Sequence, residues 1–381
     1  LEGNRLRVAW LFEYPTLHGG ERSLLATLPV LRREQIEPSA LAPPDGPLAN
    51  ELARSGVPLV PFDVAERGRR LSRDVLRASL LEQLTALRPA VLHANSLSMG
   101  RLSGPVARDA GVPSIAHLRD IVGLSAGAVA DLNCHTRLLA VSQATREFHV
   151  RQGVAADRAH VCYNGVDLDV FRPRPPTGWL HRGLGLPNDA LLVATIGQLV
   201  MRKGHDVLVR AAARIKDRLP AVHWLIIGER HSQKPEALAY EASLHAAVAE
   251  AGLTRRFHFL GTLGNVADVL PELDLLLHPA QQEPLGRVLL EAAAAGVPIV
   301  ATDVGGTREI FPNPTIARLV GPNDDEALAA AMVELIECPL AREKLSLAAR
   351  RRMEEQFDIS QAAEALVQHY RAAASSCEVA I

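Results

Sequence analysis

The 381-residue sequence predicts two doubly wound α/β domains, each built on a parallel sheet. Three observations carry that expectation. Short apolar runs alternate with amphipathic stretches along almost the whole chain, as repeated βαβ units require. Several of those runs are continuously apolar, which is how strands buried on both faces read. A proline- and glycine-rich stretch near the middle, FRPRPPTGWLHRGLGLP from Phe171 to Pro187, has no clear period and suits a domain boundary.

In the first half, strands are expected at Arg7–Phe12, Ala90–His93, Ser114–His117, Leu138–Val141 and His160–Tyr163. Glu21–Leu31 reads as one helix, because Leu24, Leu25, Leu28 and Leu31 share a face. Pro43–Pro47 and Gly111–Pro113 punctuate loops. In the second half, the strands are Leu191–Gly197, His223–Gly228, Phe257–Gly261, Asp274–His278, Pro298–Asp303 and Ala317–Val320. Ser360–Ala374 reads as a long amphipathic helix. The expected domains are therefore 1–172 and 189–359, joined by a linker at 173–188. Ligands in such sheets bind beyond the carboxyl ends of the strands.

Composition narrows the function. A net charge of −2 gives no electrostatic case for nucleic acid. Arginine supplies almost all the positive charge and there are only four lysines, so a lysine inside a motif carries weight. The four cysteines are far apart, with neither metal-ligand spacing nor a disulfide framework, which fits a reduced cytoplasm. No apolar run approaches the ~20 residues needed to span a bilayer, and LEGNRLRVAWLF does not read as a signal peptide. The absence of GxxxxGK[ST] and GxGxxG patterns weakens NTPase and dehydrogenase readings.

The most informative segment is EPLGRVLLE, Glu283 to Glu291. Its two carboxylates lie eight positions apart, a little over two helical turns. Pro284 suits a first helical position, which puts Glu283 at the mouth of a helix and Glu291 two turns down. The N–H groups of such a first turn favour phosphate. Two hydroxyl-binding carboxylates around an anion site are the groups a nucleotide-sugar needs.

Other strand ends supply further candidates. GQLVMRKGH opens at Gly197 and carries Arg202 and Lys203, two cations able to clamp a diphosphate and stabilise a leaving group. Gly19 and Gly20 precede a helix and fit either an anion-binding loop or a tight turn. His117 ends the strand SIAH and is followed by Arg119 and Asp120. His93, Asn95 and Ser96 end another strand, where they could contact an acceptor or cap the next helix, the cap being the better reading. Asn164–Gly165 is a turn by composition. Gly305 and Gly306 could admit a sugar ring or simply turn the chain. Arginines 67, 69, 70, 73 and 77 form a basic segment, better read as a solvated helix face than as an anionic-membrane contact.

Together these motifs resemble the family-4 retaining glycosyltransferases, which have the GT-B fold. The resemblance runs from HGGERSLL through VSQATREF and YNGVDLDVF to EPLGRVLLEAAAAGVPIVATDVGGTREI. It implies two Rossmann-like domains facing a central cleft, with the final helix (360–375) crossing back onto the first domain. It implies a nucleotide-diphosphate sugar, UDP- or GDP-linked, bound mainly by the second domain, and an unidentified acceptor bound mainly by the first. Transfer with retention, no metal and no cofactor beyond the donor are further implications. On this chain Glu283 would hold donor-sugar hydroxyls, and Pro284, Leu285, Gly286, Arg287, Val288 and Leu289 would cradle sugar and phosphate. Glu291 would bind the ribose. Arg202 and Lys203 would neutralise the leaving diphosphate, beside Gly197. Backbone near Thr262 and Leu263 would meet the base. Gly19 and Gly20 would face the phosphates, and His117 would reach the donor sugar. Asn95, Ser96, Arg119 and Asn164 are candidates for the acceptor, which the loops Pro43–Pro47 and Ser98–Ser103 would shape. Gln198 departs from the arginine that many relatives carry after the strand-end glycine, so the clamp rests on Arg202 and Lys203.

Two competing accounts use the same scaffold. One is a nucleotide-sugar epimerase or hydrolase, which needs no second substrate. The other is a non-catalytic nucleotide-sugar-binding subunit, against which the intact Glu283, Glu291 and Lys203 argue.

Overall fold

The structure, a computed structural model, describes residues 5–66 and 68–376. Arg67 of the basic segment and Cys377 lie outside them. The chain divides into two compact units, Leu1–Gly165 with Ile359–Ile381, and Val166–Asp358.

The first unit is built on β1 (Leu6–Leu11), β2 (Ile36–Ala42), β3 (Leu59–Pro61), a short antiparallel hairpin of β4 (Ala65–Glu66) and β5 (Arg69–Arg70), then β6 (Val91–Ala94), β7 (Ser114–Leu118), β8 (Arg137–Ala140) and β9 (Ala159–Val161). Seven of these form a parallel sheet in the order β3-β2-β1-β6-β7-β8-β9. The apolar run of β1 shows why both faces are covered. Val8 and Trp10 enter one core, with Leu24, Leu31 and Tyr370. Ala9 and Leu11 enter the opposite core, with Leu80, Leu92 and Leu102. Leu366, Val367, Tyr370 and Ala373 bring the Ile359–Ser375 helix into the first of these cores. Each such fully buried large side chain contributes roughly 2–3 kcal/mol.

Three expectations change in this unit. β2 and β3 were not anticipated: Pro38, Ser39 and Pro61 break the apolar run that marks the other strands. Glu21–Leu31 is two helices, Gly19–Leu25 and Leu28–Arg33, because Thr27 Oγ1 donates back to Leu24 C=O (2.6 Å) and Pro29 opens the second. Ser98–Ser103 is helix rather than loop, lying within Leu97–Asp109. The basic segment is largely neutralised inside the unit. Arg70 pairs with buried Glu13 at 2.8 Å, and Arg73 and Arg77 pair with Asp131 at 3.4 and 2.9 Å.

The second unit carries β10 (Leu191–Ile196), β11 (Val222–Ile227), β12 (Phe257–Phe259), β13 (Leu275–His278), β14 (Ile299–Thr302) and β15 (Arg318–Val320). They form a parallel sheet ordered β12-β11-β10-β13-β14-β15. The stretch expected as a linker belongs to this unit and is folded. Buried Glu272 accepts the Thr177 and Gly178 N–H groups at 2.6 and 2.9 Å, and the Thr177 hydroxyl at 2.8 Å. A helix follows at Trp179–Leu184, with Leu180 buried. Proline and glycine set the turns of this arm; a carboxylate distant in sequence pins it. Glu272→Ala should cost about 2–3 kcal/mol and open 171–187 to protease, read by thermal unfolding and limited proteolysis.

In each sheet the strand order reverses beside the first strand, between β1 and β6 and between β10 and β13. Those are the points where doubly wound sheets hold ligands. No helix among the described residues is long and apolar enough to cross a membrane.

Candidate functional site

In the second unit, the candidate residues gather where β10 and β13 end. After β10 the chain passes Gly197 and turns through Met201–Lys203 to Gly204. Gly204 has φ +67°, and a Cβ there would lie 1.9 Å from the Pro279 carbonyl oxygen beyond β13. Only glycine closes this turn against that strand end. Gln281 N–H then donates to the Arg202 carbonyl at 2.8 Å, joining the two loops. Gly204→Ala should abolish activity and lower the melting temperature by several degrees, read by calorimetry.

The joined loops bring Lys203 Nζ to 2.5 Å from Glu283 Oε2. The same oxygen lies 2.8 Å from His278 Nε2. A carboxylate oxygen only accepts, so His278 carries its proton on Nε2. Glu283 is 6% exposed. Burial pushes its carboxyl up, but the Lys203 ammonium and the His278 ring outweigh that and hold it well below the usual range. Burial and Lys203 lower His278 against the pull of Glu283, so its ring stays neutral. The site is therefore an ionised, buried carboxylate clasped by one lysine and one neutral histidine.

The stretch after Glu283 departs from expectation. Pro284 does not open the helix. Gly286, at φ +99°, caps a helix that runs Arg287–Ala294. A left-handed residue here breaks the path from Pro284 into the helix, so Glu283 sits in a loop and the two glutamates do not share one helix. Intrahelical bonding begins with Leu289 N–H to Gly286 C=O at 3.0 Å, which leaves the Val288 N–H outside the ladder at the helix mouth. Glu283 C=O accepts the Gly306 N–H at 3.0 Å, so the second glycine of the pair after β14 holds this loop. Glu291 is 7% exposed and lies 2.6 Å from Arg287 Nε, one turn earlier. Arg202 is exposed and makes no ion pair among the described residues. Thr262 is exposed and Leu263 half-buried in the loop after β12, beside the bridge from Gly228 N–H to Gly261 C=O (2.7 Å).

In the first unit, the other candidates meet where β6 and β7 end. Arg119 is the hub. Its Nε donates to Asn95 C=O at 3.0 Å, Nη2 to Asn95 Oδ1 at 2.9 Å and Nη1 to Asn164 Oδ1 at 2.9 Å. Nη2 also reaches His117 Nδ1 at 3.2 Å. Burial pulls the Arg119 guanidinium down to about 10, which leaves it a cation at neutral pH. Gly19 and Gly20 are the first two residues of the Gly19–Leu25 helix rather than part of a loop before it. Gly20 instead leaves room: a Cβ there would stand 3.2 Å from Arg119 Cδ. Ser96 caps the Leu97–Asp109 helix by accepting the Met99 N–H at 3.2 Å.

Two side chains of these clusters escaped the sequence reading. His278 had a signal: it ends the apolar strand DLLLHP, as His117 ends SIAH. Tyr370 had none, because its partner His93 lies far away in sequence, with Nδ1 2.6 Å from the phenol oxygen.

Comparison with known proteins adds the following. The family model Glycosyltransferase Family 4 matches residues 17–170, and the model Glycosyl transferases group 1 matches 180–352. A D-inositol 3-phosphate glycosyltransferase of Saccharomonospora viridis is 28% identical over 87% of this chain and 82% of that protein. One from Thermomonospora curvata is 31% identical over 56% of this chain, a match that spans about half of that protein (52%). Among solved structures, Anabaena Alr3699/HepE in complex with UDP-glucose superposes with TM-score 0.85 at 22% identity, covering 96% of this chain and 100% of that one. Sucrose-phosphate synthase from Thermosynechococcus elongatus superposes with TM-score 0.80 at 19% identity, over 98% and 100%. These superpositions identify the fold as GT-B.

Proposed function

This chain belongs to the family-4 glycosyltransferases of GT-B fold and is a glycosyltransferase; from that premise we propose that it moves a sugar from a nucleotide-diphosphate sugar to a hydroxyl, with retention and without a metal. The observation that carries the donor assignment is the Glu283 carboxylate, ionised and clasped by Lys203 and His278 at the switch point of the second sheet.

A carboxylate that stays ionised accepts hydrogen bonds from sugar hydroxyls and cannot serve as an acid. Glu283 therefore positions the transferred sugar. Glu291, already paired with a guanidinium, accepts from ribose hydroxyls. The diphosphate lies between them, on the helix mouth at Val288 and against Arg202 and Lys203. Arg202 supplies the uncommitted cation. Lys203 turns part of its charge from Glu283 to the leaving phosphate as the glycosidic bond breaks. The acceptor attacks from the same face, and the departing phosphate oxygen takes its proton. No side-chain nucleophile is needed. Arg119, Asn95 and Asn164 form the polar wall of the first unit, where the acceptor binds.

The Anabaena structure was solved with UDP-glucose, and the sequence relatives are named for inositol phosphate. UDP-sugars are therefore the first donors to test and phosphorylated polyols the first acceptors. The test is thermal stabilisation and turnover across UDP- and GDP-sugars, with the anomeric configuration of the product read by NMR. An inverted product would overturn retention. Rapid epimer formation from donor alone would replace transfer by epimerisation.

A further inference from the structure

Four side chains in the first unit form a continuous buried line. Trp10 Nε1 lies 2.9 Å from Tyr370 Oη, Tyr370 Oη lies 2.6 Å from His93 Nδ1, and His93 Nε2 lies 2.8 Å from His117 Nδ1. Arg119 Nη2 closes the line at 3.2 Å from the same His117 nitrogen. The direction of every hydrogen bond follows from the two ends. Indole N–H and guanidinium N–H only donate. Arg119 therefore makes His117 Nδ1 an acceptor. Two lone pairs cannot face each other at 2.8 Å, so His93 must carry its proton on Nε2. A neutral His93 then has a bare Nδ1, which takes the Tyr370 O–H. The Tyr370 oxygen in turn accepts the Trp10 N–H.

Burial and the Arg119 cation keep both rings neutral. A neutral His117 that accepts on Nδ1 holds its proton on Nε2. That nitrogen makes no hydrogen bond among the described residues, and the ring lines a small recess with Arg119, Cys162, Asn164 and Ser23.

We propose that this line, anchored by Arg119 at His117 Nδ1 and by the Tyr370 hydroxyl at His93 Nδ1, locks His117 as a hydrogen-bond donor at Nε2, so that it gives a hydrogen bond to a sugar-substrate oxygen and never takes a proton from one. Tyr370 is a positioning residue, placed by the last helix of the chain. This inference rests on the glycosyltransferase reading only for the identity of what His117 touches; the proton order stands on the geometry alone.

The test has a substrate-free arm and a kinetic arm. Histidine side-chain ¹⁵N–¹H correlation spectra of the wild-type protein at neutral pH should show His93 and His117 both as Nε2–H tautomers. An Nδ1–H tautomer or an imidazolium at His117 overturns the proposal. Tyr370→Phe should leave the fold intact by circular dichroism, mix the tautomers of His93 and lower kcat several-fold at unchanged KM for the donor. Trp10→Phe removes a hydrogen bond to the same phenol but spares its O–H, so the tautomers should stay as they are. Unchanged tautomers in Tyr370→Phe would reduce that residue to packing. In the kinetic arm, His117→Gln keeps an N–H donor near Nε2 and should retain turnover within about 10-fold, while His117→Met loses about 100-fold. Equal loss in both overturns the donor role. A wild-type protein that binds no nucleotide-sugar sinks the functional reading and leaves the spectroscopic arm to decide the lock.

Discussion

Lys203→Met should lose at least about 100-fold in transfer rate and should also weaken the fold, because it strips the main counter-charge from a buried carboxylate. Breaking one partner of a buried ion pair costs about 3–5 kcal/mol. The pH dependence gives the cause away. In the wild type, Glu283 is held below its unfolded value, so its contribution is fully present above the ordinary glutamate range and is lost only as pH falls well below that range. In Lys203→Met, burial outweighs what His278 supplies, the carboxyl rises, and the acid limb of the unfolding curve moves to higher pH. Glu283→Gln in the Lys203→Met background should recover much of the stability and none of the activity. Denaturant unfolding at several pH values, run beside turnover, measures both. Near-normal turnover in Lys203→Met would remove the leaving-group role, whatever the stability.

Mild acid should destabilise both units well above the carboxylate range. His135 and His205 are buried at 0% and 1% exposure, and burial pulls each down to about 4. His135 Nδ1 lies 2.9 Å from the Ser114 hydroxyl and Nε2 lies 2.8 Å from Gly100 C=O, an arrangement that spends both nitrogens on the neutral ring. The sign follows from the lowered values: the unfolded chain takes up protons below about pH 6.5, while the folded rings resist until about pH 4. Stability is therefore full above about 6.5 and falls throughout that window. Between pH 7.5 and 5 each of the two histidines should cost its unit about 2 kcal/mol. His93 and His117 add to the loss in the first unit with the same sign. Urea midpoints followed with a probe in each unit test this, and His205→Leu should reduce the response of the second unit alone, leaving the share of His278. Midpoints that stay level down to pH 5 would show that the rings are not held neutral.

Much of this was legible in the chain, and the exceptions have a common cause. Every strand expected from a continuous apolar run is present, because a strand buried on both faces leaves no other pattern. β2 and β3 were invisible because prolines interrupt them. Lys203, Glu283 and Glu291 could be picked out because lysine is scarce and because the two glutamates stand eight positions apart around a possible helix mouth. Their pairing could not, since it depends on Gly204 folding one loop onto Pro279 and on Gly286 turning the other. The Pro284 expectation failed at that same left-handed glycine. Arg119 was an acceptor candidate in the sequence, but nothing there marked it as a hub. Its four acceptors come from β6, β7 and the turn after β9, and only the sheet order brings those together.

The first unit is written in two pieces. Its sheet is encoded before Gly165, but Leu366, Val367 and Tyr370 come after the whole second unit. During synthesis the ribosome releases the first sheet with Leu24, Leu31 and Trp10 uncovered, and it must wait through residues 166–358 for the helix that covers them. The second unit has no such delay and can close as it emerges. The part made first is therefore finished last. A chain stopped a few residues short of Tyr370 would contain both complete sheets and yet lack the phenol on which the proton order of His93 depends.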